Sequence, residues 1–573
     1  MSEEKPLAIG IDLGTTYSCI AYIDEYGKPV VLKNFEGESI TPSVVLFSED
    51  SDEITVGRDA KKLKGAVPSS LIVEFVKRSM GKANWRHFVG DKEFRAEEIS
   101  ALILKKIVKD ATAMLGPFSK AVITCPAYFG INEREATAQA GFIANLEGYL
   151  QPPESGKPNM PNIIPEPTAA AFYYGMEKAK EDEVVMIFDL GGGTFDVTLL
   201  AVKSGSVEAI CIGGDHDLGG KDWDDVLINH CLNEAGEQGI DKAALAESSE
   251  AIGELHLRVE EAKRTLTARE KTPIVVSFEG ARARIELTRE KFDELTRPLL
   301  ERTIELCQDM LSDARKKGYE KFDRILLVGG STKMPQVMNR LKQEFPGVPI
   351  DFNEPDEAVA KGAALFAQKL MIDAMVTDEL FRLTGESAAA QDLNTLEIEN
   401  PEAVKQAWEN VAGRLHLPPS EVEEMSKTQI KNCTSKSFGI EVIMDKSTGK
   451  KMLANLIVKN SSLPTETSET FGTISDNQPS VELRVMENTL DEERVELEYC
   501  VEIGKSVLEL PKKLPEGSPI EVTFVLDAAG LLTYKGKDVT SGESIEGEIQ
   551  TSCVMNAEEL RDARERSKGI STV

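Results

Sequence analysis

One repeated phrase constrains this chain more than any other feature. Ile9-Gly10-Ile11-Asp12-Leu13-Gly14-Thr15-Thr16 returns as Met186-Ile187-Phe188-Asp189-Leu190-Gly191-Gly192-Gly193-Thr194. Each copy is an apolar, strand-like run that closes on Asp-Leu-Gly, passes a Gly/Thr turn and enters a second strand-like run. An internal duplication of one α/β unit explains the recurrence. Glycines let backbone N–H groups approach phosphate oxygens closely, and threonine hydroxyls add donors. A carboxylate at the end of each strand suits Mg²⁺ held through water, because that ion keeps much of its hydration shell. Two facing copies would clamp one polyphosphate between two lobes. A single Asp-Leu-Gly turn reads as a plain hairpin; the pair points to phosphate. No G-x4-G-K-[ST] occurs and no G-x-G-x-x-G follows a strand, so neither a P-loop nor a dinucleotide fold is supported.

The surroundings of both copies alternate strand and helix signals over the first 370 residues. Near-continuous apolar runs at 7–11, 121–124, 184–189, 197–202 and 325–328 suit strands buried on both faces. Helical periodicity lies at 96–115, 133–146, 168–180, 223–235, 252–266 and 289–317. Strands separated by helices imply α/β layers. Residues 373–435 read instead as an acidic helical insert, with Asn400-Pro401-Glu402 as a helix start and Pro418-Pro419 as a break. Beyond Phe438 the period changes to two. Val481, Leu483 and Val485 alternate with polar residues, as do Val495, Leu497, Tyr499, Val501 and Ile503, and Ile520, Val522 and Phe524. Turn chemistry at Ser475-Asp476-Asn477, Pro515-Glu516-Gly517, Ala528-Ala529-Gly530 and Ser541-Gly542 separates the runs. That pattern predicts an antiparallel β-sandwich of roughly 115 residues. The expected divisions are 1–372, 373–435, 436–555 and a short helix and tail at 556–573.

Composition limits the partners. The 573 residues carry 66 Lys and Arg against 97 Asp and Glu, a net charge of −31, which opposes nucleic acid and anionic membranes. Apolar runs reach about six residues, against the ~18 needed to span a bilayer. The N-terminus shows no signal-peptide pattern, and the eight cysteines form no CxxC or zinc spacing. Reduced thiols in a cytoplasmic protein are the expectation.

Further residues fit a nucleotide site. Val328-Gly329-Gly330-Ser331-Thr332 ends a strand in a glycine turn able to pass under a purine or ribose. Glu260, Lys263 and Thr267 share one helix face at i, i+3 and i+7, although a solvated charged face gives the same pattern. Glu166 stands between Pro165 and Pro167 just before a helix, a fixed position for a carboxylate. Lys77, in Val76-Lys77-Arg78-Ser79, is ambiguous by itself.

Taken together, Gly10-Ile11-Asp12-Leu13-Gly14-Thr15-Thr16-Tyr17-Ser18, Asp189-Leu190-Gly191-Gly192-Gly193-Thr194-Phe195-Asp196, Glu166-Pro167-Thr168-Ala169-Ala170-Ala171 and Val328-Gly329-Gly330-Ser331-Thr332 resemble, in order, motifs of the DnaK-type, seventy-kilodalton heat-shock chaperones. The resemblance implies an actin-like, two-lobed ATPase that works by positioning and electrostatics. On it, Gly14, Thr15, Thr16, Tyr17, Gly192, Gly193 and Thr194 would cradle the phosphates of ATP or ADP. Asp12 and Asp189 would hold hydrated Mg²⁺, and Lys77 would reach the γ-phosphate and the attacking water. Glu166, Asp196 and Thr194 would orient that water. Glu260, Lys263, Arg264 and Thr267 would bracket the adenosine with Gly329, Gly330, Ser331 and Lys333, with Asp356 nearby. The family usually has arginine where Lys333 stands, so a weaker grip on adenine is expected.

The β-rich part is similar to that family's peptide-binding sandwich through Ser437-Phe438-Gly439-Ile440-Glu441 and Phe471-Gly472-Thr473-Ile474-Ser475-Asp476-Asn477-Gln478. Phe438, Ile440, Ile443, Phe471, Val481 and Leu483 are the groove candidates, with ordinary sandwich core as the competing reading. The implied partners are extended segments of unfolded polypeptide, with a J-domain co-chaperone and a nucleotide exchange factor alongside. Three departures stand out. No leucine run links the ATPase part to the sandwich, which puts coupling in question. The expectation is a member without the family's helical lid or acidic tail after residue 555. A nucleotide-gated protein with one dedicated partner is the main alternative, and a sugar kinase using paired Asp-Gly-Thr hairpins is a remoter one.

Overall fold

The computed structural model describes residues 7–149, 159–177, 182–385, 400–548 and 554–573, apart from positions 50, 52, 353, 512 and 529. The end of the expected helix at 178–180, the middle of the insert and Ala529 therefore lie outside the described residues.

The duplication is plain in the two large sheets. Ile9–Asp12 pairs antiparallel with Tyr17–Ile23 and parallel with Val122–Cys125. Glu183–Leu190 likewise pairs antiparallel with Phe195–Lys203 and parallel with Arg324–Val328. The first sheet runs from Asn162–Pro165 to Pro29–Val31, and the second from Ile350–Asp351 through Ser206–Asp215 to Gln429–Lys431. Alternate side chains of these strands enter different cores, as a sheet covered on both faces requires. Val185 and Ile187 face a core shared by the two lobes, while Met186 and Phe188 face the outer core of the second lobe.

Helices Glu166–Glu177 and Ala358–Thr384 fill the shared core. Small residues set their approach. A Cβ on Gly10 would lie 2.1 Å from the Ala364 nitrogen, and one on Gly362 would lie 1.8 Å from the Ala169 oxygen. Ala358–Thr384 is rich in alanine and leucine, strong helix formers, and stops at Gly385 in the left-handed region. The division expected at residue 372 falls inside this helix. Val376 and Leu380 belong to the same core as the turns before them, as do Val404, Trp408, Val411, Leu415, Val422 and Met425. These come from helices Pro401–Leu415 and Pro419–Lys427, each begun by a proline that needs no helical N–H partner. The described part of the insert is therefore packed on the first lobe.

The sandwich carries one sheet ordered Arg494–Val495, Lys450–Ile457, Ser437–Asp445, Ser480–Asn488, Val501–Glu509. The other is ordered Thr465–Gly472, Pro519–Leu526, Leu532–Asp538, Ser544–Glu548. The alternation from Val495 to Ile503, read as one strand, is broken by a 3-10 turn at Leu497–Tyr499. The reason is topological: the chain crosses there from one edge of its sheet to the other. Tyr499 and Val501 are consequently 60% and 57% exposed.

Helix Ala557–Lys568 is capped by Asn556 and turns back onto the first lobe. Leu560 and Ala563 enter that lobe's outer core. Gln139 bonds the Met555 backbone in both directions, at 2.8 and 3.1 Å, and Ser571–Thr572 pairs parallel with Glu53–Ile54. Leu560→Ala is expected to weaken this anchorage by about 2–5 kcal/mol. Hydrogen-exchange protection at 554–572 should fall while that of the ATPase lobes holds. Unchanged protection at 554–572 would contradict the packing.

Candidate active site

The two hairpins that follow the repeated phrase meet turn to turn. A Cβ on Gly192 would lie 1.8 Å from Thr16 Oγ1, and one on Gly193 would lie 2.2 Å from Thr15 Cγ2. Only glycine allows the second turn to sit this close. Between the lobes opens a cavity of about 410 Å³. Its walls hold Asp12, Gly14, Thr15, Thr16, Tyr17, Lys77, Glu166, Asp189, Gly192 and Thr194 at one end. Glu260, Lys263, Arg264, Thr267, Gly329, Gly330, Ser331, Lys333 and Asp356 line the other. Gly193 and Asp196 are the two expected nucleotide-site residues outside this lining, and they stand just behind it. Gly193 accepts from Arg78 Nε at 2.7 Å, and Asp196 accepts from the Tyr128 N–H at 2.9 Å.

Lys77 is delivered by an unusual turn. Phe75 sits at φ 57°, where a bulky side chain is rare, and the 3-10 turn Val76–Ser79 follows. Its ammonium lies 2.5 Å from Glu166 Oε1, with Lys77 only 4% exposed. Burial works against that charge, but Glu166 and Asp12 hold the lysine pKa above its ordinary value. Thr124 donates to Asp12 at 2.9 Å. Burial, then the charge of Glu166, pushes Asp12 up to about 7, and the same two causes push Asp196 up to about 7. Burial and Glu166 also raise Asp189 well above the carboxylate range. Four carboxyls, those of Glu166, Asp189 and Asp196 buried and that of Asp12 half-buried, thus face one lysine. That imbalance, together with the buried and unpartnered Thr16 Oγ1, fits a site made to receive a cation and further acceptor atoms. Among the described residues no three acidic, His or Cys side chains gather closely enough to enclose a metal directly.

The far end is closed by charges from both lobes. Lys61, on helix Arg58–Lys62 of the first lobe, lies 2.6 Å from Glu260 on helix Ser249–Ala268 of the second. Tyr17 donates to Glu260 at 3.0 Å, and Arg264 lies 2.8 Å from it. Burial alone would raise Glu260; Lys61, then Arg264, hold it down at about 2. Lys263 pairs with Asp224 at 2.7 Å, Ser331 donates to the Gly191 carbonyl at 2.8 Å, and Lys333 pairs with Asp356. Sequence reading missed Lys61 and Arg78. Lys61 stands in an ordinary charged helix face, and Arg78 was passed over beside Lys77; only the meeting of the lobes, with Arg78 on Asp222 at 2.5 Å, distinguishes them.

The groove candidates divide. Phe438, Ile440 and Leu483 are buried in the sandwich core, so the structure does not bring them to a surface. Phe471 and Val481 are half-buried against that core, and Ile443 is exposed at its edge. An alternating strand presents the same apolar signal for core and for groove, which is why the sequence could not separate them.

Fold and site define a two-lobed, actin-like ATPase domain joined to a β-sandwich domain. The family model described as Hsp70 protein matches residues 8–383 and 398–570. The Chaperone protein DnaK of Thermotoga neapolitana is 36% identical over 553 residues, covering 95% of this chain and 80% of the relative. The DnaK of Thermotoga maritima matches with the same identity and coverage. The chain belongs to the Hsp70 family. It is an ATP-dependent chaperone, and its enzymatic activity is that of an ATPase. Among the described residues, no helix is long and apolar enough to cross a membrane.

Proposed function

We propose that ATP is held by the facing hairpins and hydrolysed beside Lys77, and that the sandwich holds extended apolar segments of unfolded polypeptide. The observation that carries this reading is the buried Lys77–Glu166 pair at the closed end of the inter-lobe cavity. Gly14 to Tyr17 and Gly192 to Thr194 offer backbone and hydroxyl donors to the phosphates. Asp12 and Asp189 would hold hydrated Mg²⁺, which when bound offsets charge on the phosphate oxygens. Lys77 presents its ammonium to the γ-phosphate. Glu166 fixes that ammonium, and Asp196, tethered by Tyr128, accepts a hydrogen bond from the attacking water with a pKa near neutral, as proton transfer favours. Thr194 aligns the same water. Glu260, Lys263, Arg264, Thr267, Gly329, Gly330, Ser331 and Lys333 surround the adenosine, with Asp356 engaged to Lys333. Peptide binding uses the sandwich at Ile443, Phe471 and Val481. The expected setting is the cytoplasm, with a J-domain co-chaperone and a nucleotide exchange factor as partners.

The test is ATP turnover of wild type and Thr194→Ala, with and without an unfolded apolar peptide. Peptide should stimulate wild type, and Thr194→Ala should lose turnover by about 10²-fold. Wild-type turnover that ignores peptide would move the reading to a nucleotide-gated protein with one dedicated partner.

A further inference from the structure

The sandwich rests on the ATPase domain through a contact that contains an unusual pair of acids. Ile131, at the start of helix Ile131–Ile143, enters the sandwich core beside Phe438 and Val485. Ser435 donates to the Phe129 carbonyl at 3.1 Å, and Lys436 Nζ lies 4.5 Å from the centre of the Tyr128 ring. At the centre of this contact Glu487, on strand Ser480–Asn488, points at Gly130. A Cβ on Gly130 would lie 3.0 Å from both Glu487 carboxyl oxygens and 3.1 Å from Glu133 Oε2. The two side chains come from different domains and crowd the same glycine. Glu487 is 8% exposed, and Oε2 of Glu487 and Oε2 of Glu133 are both buried without a hydrogen-bond partner. An ionised Glu487 is disfavoured in such a place, because its Oε2 lacks a donor and the Glu133 charge repels it.

We propose that Glu487 binds a proton when the sandwich docks on the first lobe beside Glu133, so that docking takes up a proton from water and separation returns it. That proton removes the charge from the buried, unpartnered Glu487 carboxyl. Burial, then the charge of Glu133, pushes Glu487 up to about 7, against the downward pull of Lys436 and of the Ile131 N–H that donates to it. The other titratable or charged groups around the pair are His216, Asp215 and Asp217 from the end of strand Ser206–Asp215, together with Tyr128 and Arg134. His216 stacks near Tyr128 and Phe129, with ring centres 4.8 and 5.7 Å apart, and burial lowers its pKa.

The signs of the two groups differ. A carboxyl raised in the docked state binds more protons there, so docking weakens as pH rises from the ordinary glutamate value towards about 7. A histidine lowered in the docked state makes docking weaken as pH falls below its ordinary value of 6.5. The two limbs overlap, so the readout is the ratio of wild type to Glu487→Gln, which cancels the contribution of His216.

The experiment measures hydrogen-exchange protection of the full chain at residues 129–134 and 484–490 between pH 6 and pH 8, with intrinsic exchange divided out. The opening constant for this contact, wild type relative to Glu487→Gln, should rise roughly tenfold over that range. Glu133→Gln is the second variant. It should shrink the same limb by the part that the Glu133 charge supplies and leave the infrared carbonyl band of a protonated acid, which Glu487→Gln removes. A ratio that is flat with pH, or a protonated-acid band unchanged by Glu487→Gln, would overturn the proposal. Failure of the ATPase reading would leave this test intact, because neither residue lines the nucleotide cavity.

Discussion

Lys77→Met should lower ATP turnover by about 10³-fold while leaving ATP bound. The argument runs from burial to charge. Lys77 faces Asp12, Glu166 and Asp189 at the end of the cavity that they line, with Asp196 just behind, and Glu166 lies within 2.5 Å of it. A donor fixed in a dry site costs no reorganisation when charge develops on the transferring phosphoryl group, so its removal acts on the transition state more than on binding. Methionine keeps the stem's volume, which limits the packing loss. Without the ammonium Asp12, Asp189 and Asp196 lose one attraction and move further towards their protonated forms, so the variant's residual turnover should peak at higher pH than wild type. ATP affinity by calorimetry and turnover under saturating ATP separate the two effects. A variant that turns over within about threefold of wild type would remove Lys77 from the mechanism.

The legible part of this fold is the part written in repeats and apolar runs. The phrases around Asp12 and Asp189 announced two related sheets, and the helix at Ala96–Leu115 matched its periodicity end to end. Most of the candidate site was legible for the same reason: glycine turns and strand-end carboxylates carry local signatures. Lys61 and Arg78 do not, because their roles exist only where the two lobes meet. The same holds for Glu487, an acid that continues the apolar phase of Val481, Leu483 and Val485; nothing in the strand itself signals that another domain covers it. The strand Gln429–Lys431 escaped notice because a strand that docks by its backbone needs no apolar side chains; Gln429 and Lys431 are exposed.

That strand carries the second large expectation: Gln429→Pro should uncouple the two domains, and Gln429→Ala should not. Gln429 to Lys431 pairs parallel with Ser206 to Glu208, and the Gln429 N–H donates to the Gly205 carbonyl at 2.9 Å. The leucine run expected of a linker is absent, yet the chain between insert and sandwich joins the ATPase sheet as its edge strand. Neighbouring contacts hold the same junction: Thr168 donates to Asn432 at 2.9 Å, and the Ile212 N–H donates to Asn460 at 3.0 Å. Proline removes the donor and sets its ring against the Gly205 carbonyl, whereas alanine leaves the ladder whole. Thr428 is already extended, so a following proline is tolerated there and the helix Pro419–Lys427 should survive. A lost ladder bond shifts the docking equilibrium by about 1 kcal/mol, roughly fivefold, and the ring clash adds to it. Basal turnover should stay within about twofold of wild type, because residue 429 is remote from the cavity. Peptide stimulation should fall several-fold, and amide protection at 206–208 should fall with it. Stimulation that survives in Gln429→Pro while that protection is lost would mean that the signal between sandwich and ATPase does not need this edge strand and runs through the other contacts, that of Ile131 and Glu487 among them.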